Sequence, residues 1–363
     1  MVVVRGDEVV DLTGTVATMA DLLERDDLLE VARTTEGGRR WSLDALLRSS
    51  LAGDTSQPHL LAPFDLQVVK AAGVTFARSM LERVIEENAK GDPARAEEIR
   101  AHLGDVVGGA IAKVEPGSAE AARVKEVLTA EGLWSQYLEV GIGPDPEIFT
   151  KAPVLAAVGA GAQIGVLDRS TWNNPEPEVV LAATSDGRAV GATLGNDVNL
   201  RDFEGRSALL LTEAKDNNAS CAMGPFLRLF DEGFSLDDVR RLDVTLRIEG
   251  PEGYVLEGVS SMSEMSRDPQ DLVQHACGRH HQYPDGFALF TGTMFAPTED
   301  RDAPGQGFTH KEGDVVAISA PPLGMLVNTV TAAERAPEWT FGIRALIANL
   351  AARGVLDGVA ARS

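Results

Sequence analysis

The chain has 363 residues, 44% hydrophobic and 24% charged, enough for one large globular domain with a smaller region attached. Its 55 acidic residues against 33 basic ones leave a formal net charge of −22. That charge repels phosphate backbones and anionic bilayers, so neither a nucleic-acid nor a membrane partner is expected, and an anionic substrate needs a local cation in its site.

The N-terminal MVVVRGDEVVDL is charged too early for a signal peptide, and no apolar run is long enough to span a bilayer. Two distant cysteines, Cys221 and Cys277, suit reduced thiols, and a cytoplasmic protein is expected. Residues 1–60 mix short apolar runs with charge and read as strands and short helices, ending in the polar loop 53–58. Residues 76–102 turn helical, with Met80, Leu81, Val84 and Ile85 on one stripe and Glu82, Arg83, Glu86 and Glu87 off it, and a break at Gly91-Asp92-Pro93. Another helix is expected over 118–130, with Ser118 as its N-cap.

After Val140 the texture becomes β. An apolar run at 179–183 precedes the tight turn Ser185-Asp186-Gly187. Leu242, Val244, Leu246 and Ile248 alternate with polar residues, and Gly250-Pro251-Glu252-Gly253 turns that strand into 254–256. Asp268 caps a helix that has Pro269 at its first position. Strands follow at 287–291 and 315–319, and the tail 339–361 reads as helix. This division predicts a mixed α+β chain: an N-terminal α+β region (1–140) with a helical segment 76–130, a β-rich catalytic domain (141–335), and a C-terminal helix (336–363).

The segment Trp172-Asn173-Asn174-Pro175-Glu176-Pro177-Glu178 holds the most chemistry. In extended chain, residues i and i+2 project to one side, so Glu176 and Glu178 point together, and two such carboxylates oppose each other's ionisation unless a cation neutralises them. On spacing alone an acidic pair before a strand more often faces solvent. A hairpin through Gly187 returns the chain at Gly195-Asn196-Asp197, where Asp197 offers a third carboxylate. Oxygen ligands of this kind suit Mg²⁺, Mn²⁺ or Ca²⁺ rather than Zn²⁺. The histidines suggest less. His275, His280 and His281 are expected to serve structure, or a lid formed by 281–286, and the cluster Asp300-Arg301-Asp302 is expected to face solvent, with a carboxylate partner for Arg301 as the alternative.

Taken in order, Phe149-Thr150-Lys151-Ala152-Pro153, Pro175-Glu176-Pro177-Glu178-Val179-Val180-Leu181, Gly195-Asn196-Asp197, Lys215 and Gly224-Pro225 resemble the fumarylacetoacetate hydrolase superfamily over most of residues 70–330. The resemblance implies a mixed β-sandwich roll, a homodimer or homotetramer, and a divalent ion held by Glu176, Glu178 and Asp197. It also implies that Lys215 contacts a bound keto acid and that Thr293, in Phe290-Thr291-Gly292-Thr293, touches substrate. Hydrolytic members carry a histidine in a pattern like G-x-N-Y-x-x-H. Here Gly73-Val74-Thr75-Phe76-Ala77-Arg78-Ser79 has Ser79 in its place, which is similar instead to the 2-keto-3-deoxy-pentonate dehydratase branch. That branch carries a P-E-[IV]-F-x-K segment, matched by Pro146-Glu147-Ile148-Phe149-Thr150-Lys151, which makes Glu147 the expected proton carrier. Lys151 and Ser79 are expected to bind substrate. The activity implied is dehydration of a small anionic 2-keto acid of the D-xylonate or D-arabinonate type to 2-oxoglutarate semialdehyde. The alternative is carbon–carbon hydrolysis of acylpyruvates or diketo sugar acids.

Overall fold

The turn expected at Ser185-Asp186-Gly187 closes a long hairpin between β8 (Pro177–Ala183) and β9 (Ala189–Asp197), with Leu181 opposite Ala192 and Glu178 opposite Gly195. Gly187 takes φ +79°, a left-handed conformation that a tight turn requires and glycine adopts without strain. This is a computed structural model that describes residues 1–90, 92, 94–96, 98–99, 114–130, 134–295, 297, 299–304 and 306–356. Gly91, Pro93, the stretch around His102 and the end of the C-terminal tail, all assigned from sequence, lie outside the described residues.

The hairpin sits in a six-stranded sheet. The order is β11 (Cys221–Leu229), β9, β8, β14 (Phe287–Phe290), β4 (Val68–Gly73) and β5 (Glu147–Ala152). Every residue of β8 is buried, because both faces of this sheet are covered. Val179 and Leu181 pack with Leu246, Ile248 and Ile318 of a second sheet. Val180 and Ala182 face the other way, toward Leu23, Val31 and Phe64 of the N-terminal region. A continuous apolar run, rather than an alternating one, is what such a doubly covered strand needs. Each fully buried Val or Leu contributes roughly 1.5–3 kcal/mol.

The second sheet has five strands in the order β13 (Val255–Ser261), β12 (Asp243–Glu249), β15 (Val315–Ala320), β16 (Gly324–Ala332) and β6 (Gln163–Val166). β12 alternates buried and exposed along its length, with Val244, Leu246 and Ile248 inward, as its period-two pattern predicts. The N-terminal region adds a small antiparallel sheet, β1 (Val2–Arg5), β2 (Glu8–Asp11) and β3 (Arg40–Ser42), with short helices around it. β4 and β5 bracket residue 140 in sequence yet lie side by side in the six-stranded sheet.

The helix Ala77–Ala89 lies against the helix Gln136–Ile142, with Met80 and Val84 packed on Tyr137, Leu138 and Ile142. A side chain at Gly141 would come within 2.2 Å of the Met80 sulfur, so the approach of the two helices depends on that glycine. The helix at Ala119–Ala130 is capped by Ser118 as expected, its hydroxyl accepting from the Ala121 N–H. The C-terminal helix spans Ile343–Ala352, shorter at its start than the pattern suggests, because Trp339 and Phe341 precede it in irregular chain. A further correction concerns Arg301. Its side chain is buried, with both Nη groups on Asp314 at 2.6 and 2.7 Å, not solvated as the flanking acids imply.

Candidate metal and acid–base site

Pro175 and Pro177 frame Glu176 in extended chain just before β8. There the Glu176 N–H donates to Asn196 Oδ1 (3.1 Å), and the Asp197 N–H donates to the Glu176 carbonyl (3.1 Å). These two bonds dock the start of one strand onto the end of its partner. Glu176, Glu178 and Asp197, all buried, thereby place one oxygen each within 4.8 Å of the others. The hairpin is tight at this point: a Cβ on Gly195 would fall 2.3 Å from the Phe290 ring and 2.5 Å from Val180.

Cations and donors from other elements engage the three carboxylates unequally. Lys215, at the end of the short helix Leu211–Lys215, donates to Glu176 Oε2 (2.5 Å) and Asp197 Oδ2 (3.1 Å). Burial alone would lower its proton affinity, but Asp197 and Glu176 outweigh that and hold it firmly as an ammonium. Lys151 reaches Asp197 Oδ1 (2.8 Å) from beneath and also donates to the Val198 and Lys215 carbonyls. Burial would raise Asp197, yet Lys151 and Lys215 keep it below the usual carboxylate range. Glu178 receives the Gly292 N–H (2.6 Å) on Oε2; burial, Asp197 and Glu176 push it well above its ordinary value.

Above this floor opens a narrow cleft. Ser79, Glu147, Thr293, Lys215 and the three-carboxylate cluster all line it. Glu147 starts β5 opposite Gly73, and its carboxyl lies so close over that residue that a Cβ there would meet Oε2 at 2.1 Å. Burial, reinforced by nearby Glu204 and opposed by Arg83 and Lys215, pushes the Glu147 carboxyl up to about 7. Ser79 faces the cleft while its hydroxyl donates to the Phe76 carbonyl (2.9 Å). Lys151 is the exception among the expected substrate contacts. It is fully buried, its ammonium is held by Asp197, and it does not line the cleft.

Glu82, Arg83 and Glu204 also line the cleft, and the sequence pattern did not point to them. Glu82 and Arg83 read as charges on a solvated helix face; instead Arg83 Nη2 donates to Glu176 Oε1 (2.6 Å) and Nη1 pairs with Glu204 Oε2 (2.8 Å). One signal was available. Positions three and four residues beyond Ser79 share its helical face, so a site at 79 brings 82 and 83 with it. The expected lid at 281–286 is not there: it follows Cys277 beside the Ser185-Asp186 turn, at the far end of the hairpin from Glu178. No histidine lines the cleft among the described residues, and His310 is buried on Asp314 (3.1 Å).

The lining fits a divalent cation. Six carboxylates (Glu82, Glu147, Glu176, Glu178, Asp197 and Glu204) face two cationic side chains, Arg83 and Lys215, and the tightest cluster offers only oxygen ligands.

The chain is 34% identical to a 2-dehydro-3-deoxy-D-arabinonate dehydratase of Saccharolobus solfataricus over 185 residues, 51% of this chain and 58% of that protein. It is 33% identical to a probable 2-keto-3-deoxyxylonate dehydratase of Haloferax volcanii over 195 residues, 54% of this chain and 63% of that one. The matched segments thus span less than two thirds of either curated relative. In fold it superposes on 2-keto-3-deoxy-D-arabinonate dehydratase complexed with magnesium and 2,5-dioxopentanoate at a TM-score of 0.62, with 22% identity, covering 91% of this chain and 93% of that one. A fumarylacetoacetate hydrolase from psychrophilic Exiguobacterium antarcticum superposes at a TM-score of 0.53 with 18% identity, over 91% and 94% of the two chains. The family model for the fumarylacetoacetate (FAA) hydrolase C-terminal domain matches residues 127–331, more than half of the chain, and the protein belongs to that family.

Proposed function

We propose that this protein is a divalent-metal-dependent hydro-lyase that dehydrates a 2-keto-3-deoxy-pentonate to 2,5-dioxopentanoate (2-oxoglutarate semialdehyde). The observation that carries the reading is Glu147, a half-buried carboxyl pushed up to about 7, lining the same cleft as a buried three-carboxylate cluster, with no described histidine in the lining. Water activation for carbon–carbon hydrolysis calls for a base of imidazole type, and Ser79 stands where the hydrolytic pattern has one. The relatives named as pentonate dehydratases support the same direction.

Glu176, Glu178 and Asp197 would hold the metal. When bound, the ion draws electron density from the substrate's carboxylate and 2-keto oxygen and so eases loss of a C3 proton. This chain's residues do the rest. Lys215, kept as an ammonium among acids, would turn a donor toward a substrate oxygen. Lys151 holds Asp197 in place from below. Glu147 takes the C3 proton as a carboxylate and returns it to the C4 hydroxyl, which leaves as water. The C3=C4 double bond then moves toward C5 by transfer of a C5 proton to C3, and the resulting C4=C5 enol becomes the aldehyde. Thr293 and Ser79 line the wall where the hydroxyl-bearing end would lie.

The test is direct. Purified protein with Mg²⁺ and 2-keto-3-deoxy-xylonate or its arabinonate epimer should yield a semicarbazide-reactive semialdehyde. No product from either sugar acid sinks the proposal, and pyruvate released from an acylpyruvate instead establishes the hydrolase reading.

A further inference from the structure

We infer that Arg83 is a positioning residue of this site: its guanidinium fixes the orientation in which Glu176 meets the cation and ties Glu176 to Glu204 across the cleft. The inference rests on reading Glu176, Glu178 and Asp197 as cation ligands. It concerns a residue outside that set, on an element that the hairpin does not supply.

The geometry is that of a fork. Nη2 donates to Glu176 Oε1 at 2.6 Å while Nη1 pairs with Glu204 Oε2 at 2.8 Å, so one planar group sets the spacing of two carboxylates. An ammonium is a point charge and does not reproduce that geometry. Lys215 takes the other oxygen of Glu176, so both oxygens of this side chain have cationic partners. Glu178 is different: its described hydrogen bond comes from the Gly292 N–H. Glu176 therefore depends for its direction on side chains brought in from elsewhere, Arg83 and Lys215, as Asp197 depends on Lys151 and Lys215.

Arg83 is itself well anchored. Its side chain is 14% exposed, and Glu176 and Glu204 are less exposed still, so solvent weakens these pairs little. Met80 and Val84 pin its helix against the helix Gln136–Ile142, which fixes the height at which the guanidinium enters the cleft. Ser79 and Glu82 line the cleft from the same helix. A role as receptor for the substrate carboxylate fits less well, because each Nη group already pairs with an acid that the substrate would have to displace.

The fork also pairs two groups that act oppositely on Glu147. Glu204 raises its proton affinity and Arg83 lowers it. Loss of Arg83 should therefore move the acid limb of the kcat profile to higher pH, and neutralising Glu204 should move it lower.

Full-length protein is titrated with Mn²⁺ by electron paramagnetic resonance, with thermal melts alongside, for wild type, Arg83→Met, Arg83→Lys and Glu204→Gln. Arg83→Met should weaken Mn²⁺ binding by about 10- to 100-fold, the range for partners that orient metal ligands. Arg83→Lys should recover only part of it. Glu204→Gln should bind Mn²⁺ more nearly like wild type while its acid limb moves the other way. If Arg83→Met does not fold, the lysine variant alone decides. Wild-type affinity in Arg83→Lys overturns the inference, as does unchanged Mn²⁺ binding in Arg83→Met with only KM raised, which marks a substrate-binding cation instead. A wild-type protein that binds no Mn²⁺ overturns the cation site itself, a different failure from either.

Discussion

The floor of the cleft is a β-hairpin and its wall is a helix, and the two are held by different means. The floor follows from local chain geometry: two strands in register, a glycine turn, and carboxylates two residues apart at the end where the strands meet. The wall depends on packing between distant segments, with Met80 and Val84 seated under Tyr137, Leu138 and Ile142, so that Ser79, Glu82 and Arg83 face inward. A floor residue should therefore act through cation binding, and a wall or side residue through proton transfer and orientation.

The largest expected effect is on the floor. Glu178→Gln removes a ligand that lacks a cationic partner among its described contacts, and should abolish measurable Mn²⁺ binding together with turnover, as read by calorimetric titration and product assay. Next, Glu147→Gln should lower kcat by about 10²- to 10⁴-fold, the range for a lost general acid–base group, while leaving Mn²⁺ affinity near wild type. If both variants lose metal equally, the division between floor and side is broken.

The pH dependence sharpens the same contrast. Burial and Glu204 raise Glu147 to about 7, so the carboxylate needed to accept the C3 proton is lost as pH falls through that value. Wild-type kcat should therefore decline on the acid side near 7, and the limb should vanish in Glu147→Gln. The smallest effect tests the frame alone. Gly195→Ala places a methyl against Phe290 and Val180, and overpacking of this kind costs about 1–3 kcal/mol, seen as a lower Tm by calorimetry.

Some of this was readable from the chain. The turn at Gly187 and the apolar run at 179–183 set the hairpin register, which places Asp197 beside Glu176. The alternation at 242–249 and the cap at Asp268 likewise give a strand and a helix where expected, because period and capping are local properties. The partners of Arg83 and Arg301 were not readable. Periodicity separates the faces of an element but carries no information about what covers the polar one: Arg83 meets Glu204 from far along the chain, and Arg301 turns inward onto the buried Asp314. Lys151 shows the same limit: a motif position identified it, yet its ammonium lies beneath the floor, on Asp197.

What the sequence by itself determined is the cluster of Glu176, Glu178 and Asp197 and the strands that carry it, since side-chain alternation and turn chemistry act over a few residues. Only the tertiary structure decided which cations and donors answer each carboxylate and that Glu147 titrates near 7. Burial and Coulomb interaction depend on distances between elements that the chain joins late, and spacing along the sequence does not contain those distances.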